Sequence, residues 1–137
     1  MRKFYWQIGS IVSLLLINTF WSIDPAKACS CDDPSSLPEA MKRSSRTFIG
    51  KVLDVEDSQG GVTLAVSRIW KGKKQSRIIV YTSNGMCRSR FIIGEEYLVF
   101  SYSSENIDYT SLCTRTSRLE HFTPAEIRTL GKGRIVR

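Results

Sequence analysis

Cys29 and Cys31 stand one residue apart, and this spacing constrains the chain more than any other feature. The usual Cα separation of bridged cysteines makes a bond across one intervening residue strained. Each must therefore find a partner elsewhere, and the remaining cysteines are Cys87 and Cys113. Two distant points are thus tied to one short N-terminal segment, and the fold has to bring all three regions together. Two pairings meet that condition: Cys29 with Cys87 and Cys31 with Cys113, or the reverse. In the chain-entropy picture, loops of this length each contribute roughly 4 to 4.7 kcal/mol as an upper figure.

Disulfides call for an oxidising compartment, and the residues before Cys29 supply a route to one. Arg2 and Lys3 precede an apolar run from Ile8 to Ile23, followed by Asp24-Pro25 and the small-x-small sequence Ala26-Lys27-Ala28. Residues 1–28 read as a signal peptide. The apolar run is short for a membrane anchor and is interrupted by serines, Asn18 and Thr19. Lys27 and the lack of a leucine at Ala26 make a poor site for lipid attachment at Cys29. Residues 29–137 are then one secreted domain, extracellular or in the cell envelope, whose only membrane contact is through the transient leader.

With 42% hydrophobic and 24% charged residues the chain has the composition of a globular domain. Removing Arg2, Lys3, Lys27 and Asp24 from a chain of net charge +7 leaves about +5. The basic residues are scattered among serines and glycines, with no dense stripe carrying interleaved aromatics, so nucleic acid is not an expected partner. A monomer is expected.

Ser36-Leu37-Pro38-Glu39 fits a capping box and predicts a short helix to about Arg43. Alternating and β-branched runs predict strands over 47–55, 62–70, 76–82, 95–102 and 110–118, separated by Asp57–Gly61, Lys71-Gly72, Ser83-Asn84-Gly85 and Gly94. In the second strand, alternation sets Val62, Leu64, Val66 and Arg68 on one side and Thr63, Ala65, Ser67 and Ile69 on the other. Thr123-Pro124-Ala125-Glu126 is a second capping box, with Gly131 as the stop. Five short strands with few helices predict a small closed or nearly closed barrel.

Catalytic material is sparse. His121 is the sole histidine, and it reads as a surface residue before a helix cap. Glu95 and Glu96, adjacent on a strand, point to opposite faces and do not cooperate as acid and base. Asp32-Asp33 before Pro34 reads as a turn. Asp57–Gly61 lacks the lysine and the following helix of a phosphate loop. A thiolate zinc site is not expected either, because CxC with two isolated cysteines lacks the paired CxxC spacing of structural zinc modules. No enzyme activity, cofactor or resident metal is expected. What stands out is Cys29, which after cleavage would carry the free α-amine while itself being half of a disulfide. Its amine and carbonyl would form a rigid pair of ligand atoms for a metal with an open position.

Several blocks together resemble a known family. They are Cys29-Ser30-Cys31 at the cleavage site, Phe48-Ile49-Gly50-Lys51-Val52, Trp70-Lys71-Gly72, Cys87 with Phe91, Gly94 and Tyr97-Leu98-Val99-Phe100, and Cys113. Over residues 29 to about 119 the chain resembles the tissue inhibitors of metalloproteinases and their netrin-like relatives. The resemblance implies a mainly β, five-stranded OB-fold barrel with short flanking helices, and the pairing Cys29–Cys87 and Cys31–Cys113. It also implies a secreted metalloendopeptidase inhibitor whose Cys29 amine and carbonyl chelate the zinc of the target protease. Ser30 would enter the specificity pocket, with Cys31, Asn84, Gly85 and Met86 on the flanking ridge. The chain departs from the family in lacking its third inhibitory-domain disulfide and its C-terminal subdomain, in a short first hairpin, and in Arg88 where glycine is usual. The alternative is a netrin-like binding module for an envelope or extracellular ligand, without protease inhibition.

Overall fold

Each strand begins or ends where its turn chemistry dictates, and the turns close the sheet on itself. The computed structural model describes residues 29–32, 34, 36–83 and 85–137, so the leader reading of residues 1–28 lies outside it. Helix α1 (Leu37–Arg43) starts at Ser36, whose hydroxyl accepts the Glu39 backbone N–H, and it buries Leu37 and Ala40. Strands β1 (Arg46–Glu56), β2 (Gly61–Lys71), β3 (Arg77–Thr82), β4 (Glu96–Ser104) and β5 (Ile107–Thr110) follow. They pair in the order β1-β2-β3-β5-β4, and β1 also pairs with β4, which closes the barrel. All contacts are antiparallel except β3 with β5. Two short strands are added outside it, β6 (Ser117–Arg118) on β4 and β7 (Arg134–Ile135) on β2, with helix α2 (Pro124–Arg128) between them. The protein is mainly β, with an OB-fold-like five-stranded barrel, as expected from the sequence.

Two apolar layers hold it together. Phe48, Val52, Val62, Leu64, Val66, Ile69, Val80 and Val99 fill the barrel, while Ile49, Leu98 and Phe100 pack outward against α1 and Leu130. Both faces of β4 are therefore covered, which is why Tyr97-Leu98-Val99-Phe100 is an unbroken apolar run and not an alternation.

The strict alternation expected for β2 does not hold. Ile49 pairs with Arg68 and Gly50 with Val66, leaving Ser67 as an extra residue. This bulge returns Ile69 to the side of Val62, Leu64 and Val66, and its side chain is fully buried. A second bulge in β1 skips Leu53, which is 41% exposed. These irregularities bend the strands enough for closure. Gly50 sits at the bend, where a Cβ would lie 3.0 Å from the Leu64 Cβ.

The strand expected over 110–118 is also corrected. The fifth strand is Ile107–Thr110, and it follows β4 through a two-residue turn at Glu105 and Asn106, both at positive φ. Beyond Thr110 the chain curls into a 3₁₀ turn, Leu112–Thr114, capped by the Ser111 hydroxyl. The Thr110, Thr114 and Thr116 hydroxyls bond one another instead of leaving the strand free to extend. Arg115 then takes a left-handed conformation.

Gly72 has φ +99°, and a Cβ there would meet the Arg46 Cγ at 2.8 Å. That arginine holds Asp108 at 2.9 Å, and Asp108 is nearly buried. Gly72→Ala is expected to destabilise the fold by about 1 to 3 kcal/mol. A lowered urea midpoint at unchanged slope would measure it.

At α2 the Thr123 hydroxyl accepts the Glu126 N–H, and the Glu126 carboxylate accepts the Thr123 N–H at 2.8 Å. The Thr123 hydroxyl also donates to that carboxylate at 2.9 Å, and the two bonds to it, first from the backbone and then from the hydroxyl of Thr123, hold the Glu126 pKa below its ordinary value. A depressed carboxylate stabilises the fold above its unfolded pKa, and the contribution is lost as pH falls through the folded value. The start of α2 is therefore expected to loosen as pH drops below about 4.3, read as pH-dependent amide shifts over 123–127.

Candidate functional site

The N-terminal arm, the loop after β3 and the turn after β5 meet at one end of the barrel. The parallel pairing of β3 with β5 sets Thr82 beside Thr110, so both chains leave the sheet at the same edge. Beyond that edge the Leu112 N–H donates to the Cys87 carbonyl at 3.0 Å. Cys87 and Cys113 are thereby brought close by the backbone, and the arm is fastened to them. The bridges are Cys29–Cys87 and Cys31–Cys113, with Cα separations of 5.2 and 5.1 Å. Of the two pairings open to a CxC start, the one implied by the resemblance is present.

The two bridges also touch. The Cys29 Sγ lies 3.7 Å from the Cys31 Sγ and 3.6 Å from the Cys113 Sγ. Disulfide sulfurs carry no proton, so these are van der Waals contacts. The arm is held by polar groups as well. Arg115 Nη1 donates to the Pro34 carbonyl at 3.2 Å, Arg43 Nη1 donates to the Asp32 carbonyl at 3.4 Å, and Pro34 is buried. The Asp32 side chain is fully exposed and 3.8 Å from the Arg43 guanidinium; Asp33 lies outside the described residues.

Cys29 and Cys31 are half-buried under their bridges, and Ser30 between them is exposed. Gly85, at φ +92°, and Met86, 59% exposed, lead into Cys87 and so stand next to the first bridge. Asn84, the remaining ridge residue expected from the sequence, lies outside the described residues. Leu112 was not expected there. It is 48% exposed and is tied to Cys87 by its backbone, which extends the apolar edge that Met86 begins. Its place next to Cys113 was the available signal, but only the parallel β3–β5 pairing brings it to Cys87.

No protein-family model and no curated protein matches the chain. The functional reading therefore rests on the residues and their geometry. His121 is an exposed residue whose Nδ1 bonds the Ser117 hydroxyl at 2.8 Å. Glu95 reaches Arg118 at 3.7 Å. Among the described residues of the arm there is no acid–base pair. The arm offers a pinned backbone, with an exposed serine and apolar side chains alongside.

Proposed function

We propose that the mature chain, beginning at Cys29, is a secreted inhibitor of zinc metalloendopeptidases of the type found in tissue inhibitors of metalloproteinases. The observation that carries this reading is the convergence of both disulfides on the first three residues after the small-x-small site. Once freed by cleavage, the Cys29 amine and its carbonyl oxygen close a five-membered chelate ring on a single metal ion. A catalytic zinc with three protein ligands has an open position for them. The α-amine has a reference pKa of about 7.7 to 8.0, so a usable fraction is neutral at physiological pH and can donate its lone pair. The bridges lower the entropy lost when the arm docks. Ser30 would then enter the pocket beside the metal, while Met86 and Leu112 cover the protease surface on one flank.

The test is titration of the secreted protein, with its N-terminal residue and mass verified as bridged Cys29, against a panel of zinc endopeptidases. Stoichiometric inhibition of at least one is expected. No inhibition by a correctly processed sample would leave the netrin-like binding module as the better reading. Replacing Ser30 by arginine is expected to change the order of potencies across the panel by tenfold or more while stability is unchanged, because a pocket discriminates by shape and by unpaired polar groups.

A further inference from the structure

We infer that the cleft between the loop preceding β4 and the segment Leu112 to His121 binds an amphipathic oxyanion, a carboxylate or phosphate head on an apolar body. The cleft holds about 470 Å³ and shares Met86 and Leu112 with the edge beside the first bridge. A volume of that order, an apolar wall and a few polar groups are the usual features of a small-molecule site. The inference stands whether or not that edge meets a protease.

The polar side of the cleft consists of donors without acceptors. Among the described residues three buried side-chain polar atoms lack a hydrogen-bond partner, and two of them, Ser89 Oγ and Arg118 Nε, belong to residues that line this cleft. Tyr97 adds a third donor. Its hydroxyl oxygen accepts the Ile92 N–H at 3.1 Å, and its own proton has no acceptor among the described residues. Tyr97 is 3% exposed and Ser89 5% exposed, so solvent does little to satisfy them. The ladder between β4 and β6 sets Tyr97 directly opposite Arg118, and side chains so paired share one face. A buried donor left unpaired is costly. An oxyanion supplies the missing acceptors.

The charge of the site comes from other residues. The outer nitrogens of Arg118 are already engaged, Nη1 with Glu120 at 2.7 Å and Nη2 with Glu95 at 3.7 Å, which leaves Nε as its unpaired donor. Arg88 and Arg90 also line the cleft, and neither makes an ion pair among the described residues. No acidic residue is among those lining it, so an anion meets attraction without opposition and gains charge-assisted bonds. Ser117 and His121 are bonded to each other at 2.8 Å.

Around the same opening Met86, Ile92 and Leu112 are 59%, 52% and 48% exposed. A bare inorganic anion would leave these three in water. A neutral apolar molecule would leave the donors unpaired. A ligand that joins an oxyanion to an apolar chain satisfies both sides.

The experiment titrates octanoate and octyl phosphate, with 1-octanol as the uncharged control, into the disulfide-bonded mature chain and follows backbone amide shifts. One molecule per chain is expected, with at least one of the two anions bound tenfold or more tighter than octanol, and with shifts centred on 86–92 and 112–118. The tighter anion identifies the head group. The Arg88→Gln/Arg90→Gln variant is expected to bind it at least tenfold more weakly, and Ser89→Ala at least threefold more weakly, both with unchanged melting curves. Equal affinity for octanol, binding of neither anion at millimolar concentration, shifts centred elsewhere, or undiminished affinity in either variant would each overturn the inference.

Discussion

Adding one alanine before Cys29 of the mature chain is expected to abolish zinc-endopeptidase inhibition, a loss of at least a thousandfold in potency, with stability and both disulfides unchanged. The extra residue converts the Cys29 amine into an amide nitrogen, which has no available lone pair for a metal. The new amine sits one residue further out and is no longer held by the bridges, and the added bulk occupies the space of the metal and its water. Ser30 and Asp32 are exposed and the arm is anchored through sulfur and through Pro34, so among the described residues the anchoring of the arm is compatible with the extension. Parallel titrations of the two forms, with thermal melts, check this. Equal potency would exclude chelation through the amine.

The second large effect is expected from Cys29→Ala/Cys87→Ala, which removes one bridge and keeps the N-terminal amine. Loss of a native disulfide from a small secreted domain costs about 2 to 5 kcal/mol. The double substitution is needed because a lone Cys29 thiol would sit 3.6 Å from the Cys113 sulfur and attack the other bridge. Inhibition should fall by a factor well beyond that of the unfolded fraction, since the amine remains while its fixed position is lost. Urea unfolding and titration of the same samples separate the two. Unchanged inhibition by the folded variant would show that the clamp serves stability alone.

Much of this architecture is legible in the linear sequence because local chemistry decides it. The Ser36 cap and the Thr123 capping box place both helices within a residue or two, and the turn at Asp57–Gly61 places the first hairpin. What is not legible depends on partners far away. Ser67 becomes a bulge because β1 must bend to reach both β2 and β4, and no pattern within residues 61–71 signals that. The fifth strand is displaced because the hydroxyls of Thr110, Thr114 and Thr116 find one another and the Phe100 carbonyl, a choice that favours a curl over an extended chain. At the candidate site, the CxC spacing requires two distant partners but leaves the pairing open, and it carries no sign that the two bridges will touch.

The parallel pairing of β3 with β5 also governs the order in which this end of the molecule can be finished. During synthesis the arm emerges first, yet Cys31 waits 82 residues for Cys113. Cys87 arrives earlier and meets two adjacent thiols, Cys29 and Cys31, either of which can capture it. Capture by Cys31 gives a bond that must later be undone, and β5 is the element that brings the correcting sulfur, since its register sets Thr110 beside Thr82. Contacts of such long range form slowly. The Cys31–Cys113 bridge is therefore among the last contacts to be secured, and oxidative folding should be limited by docking of the β4–β5 hairpin rather than by collapse of the β1–β2–β3 meander.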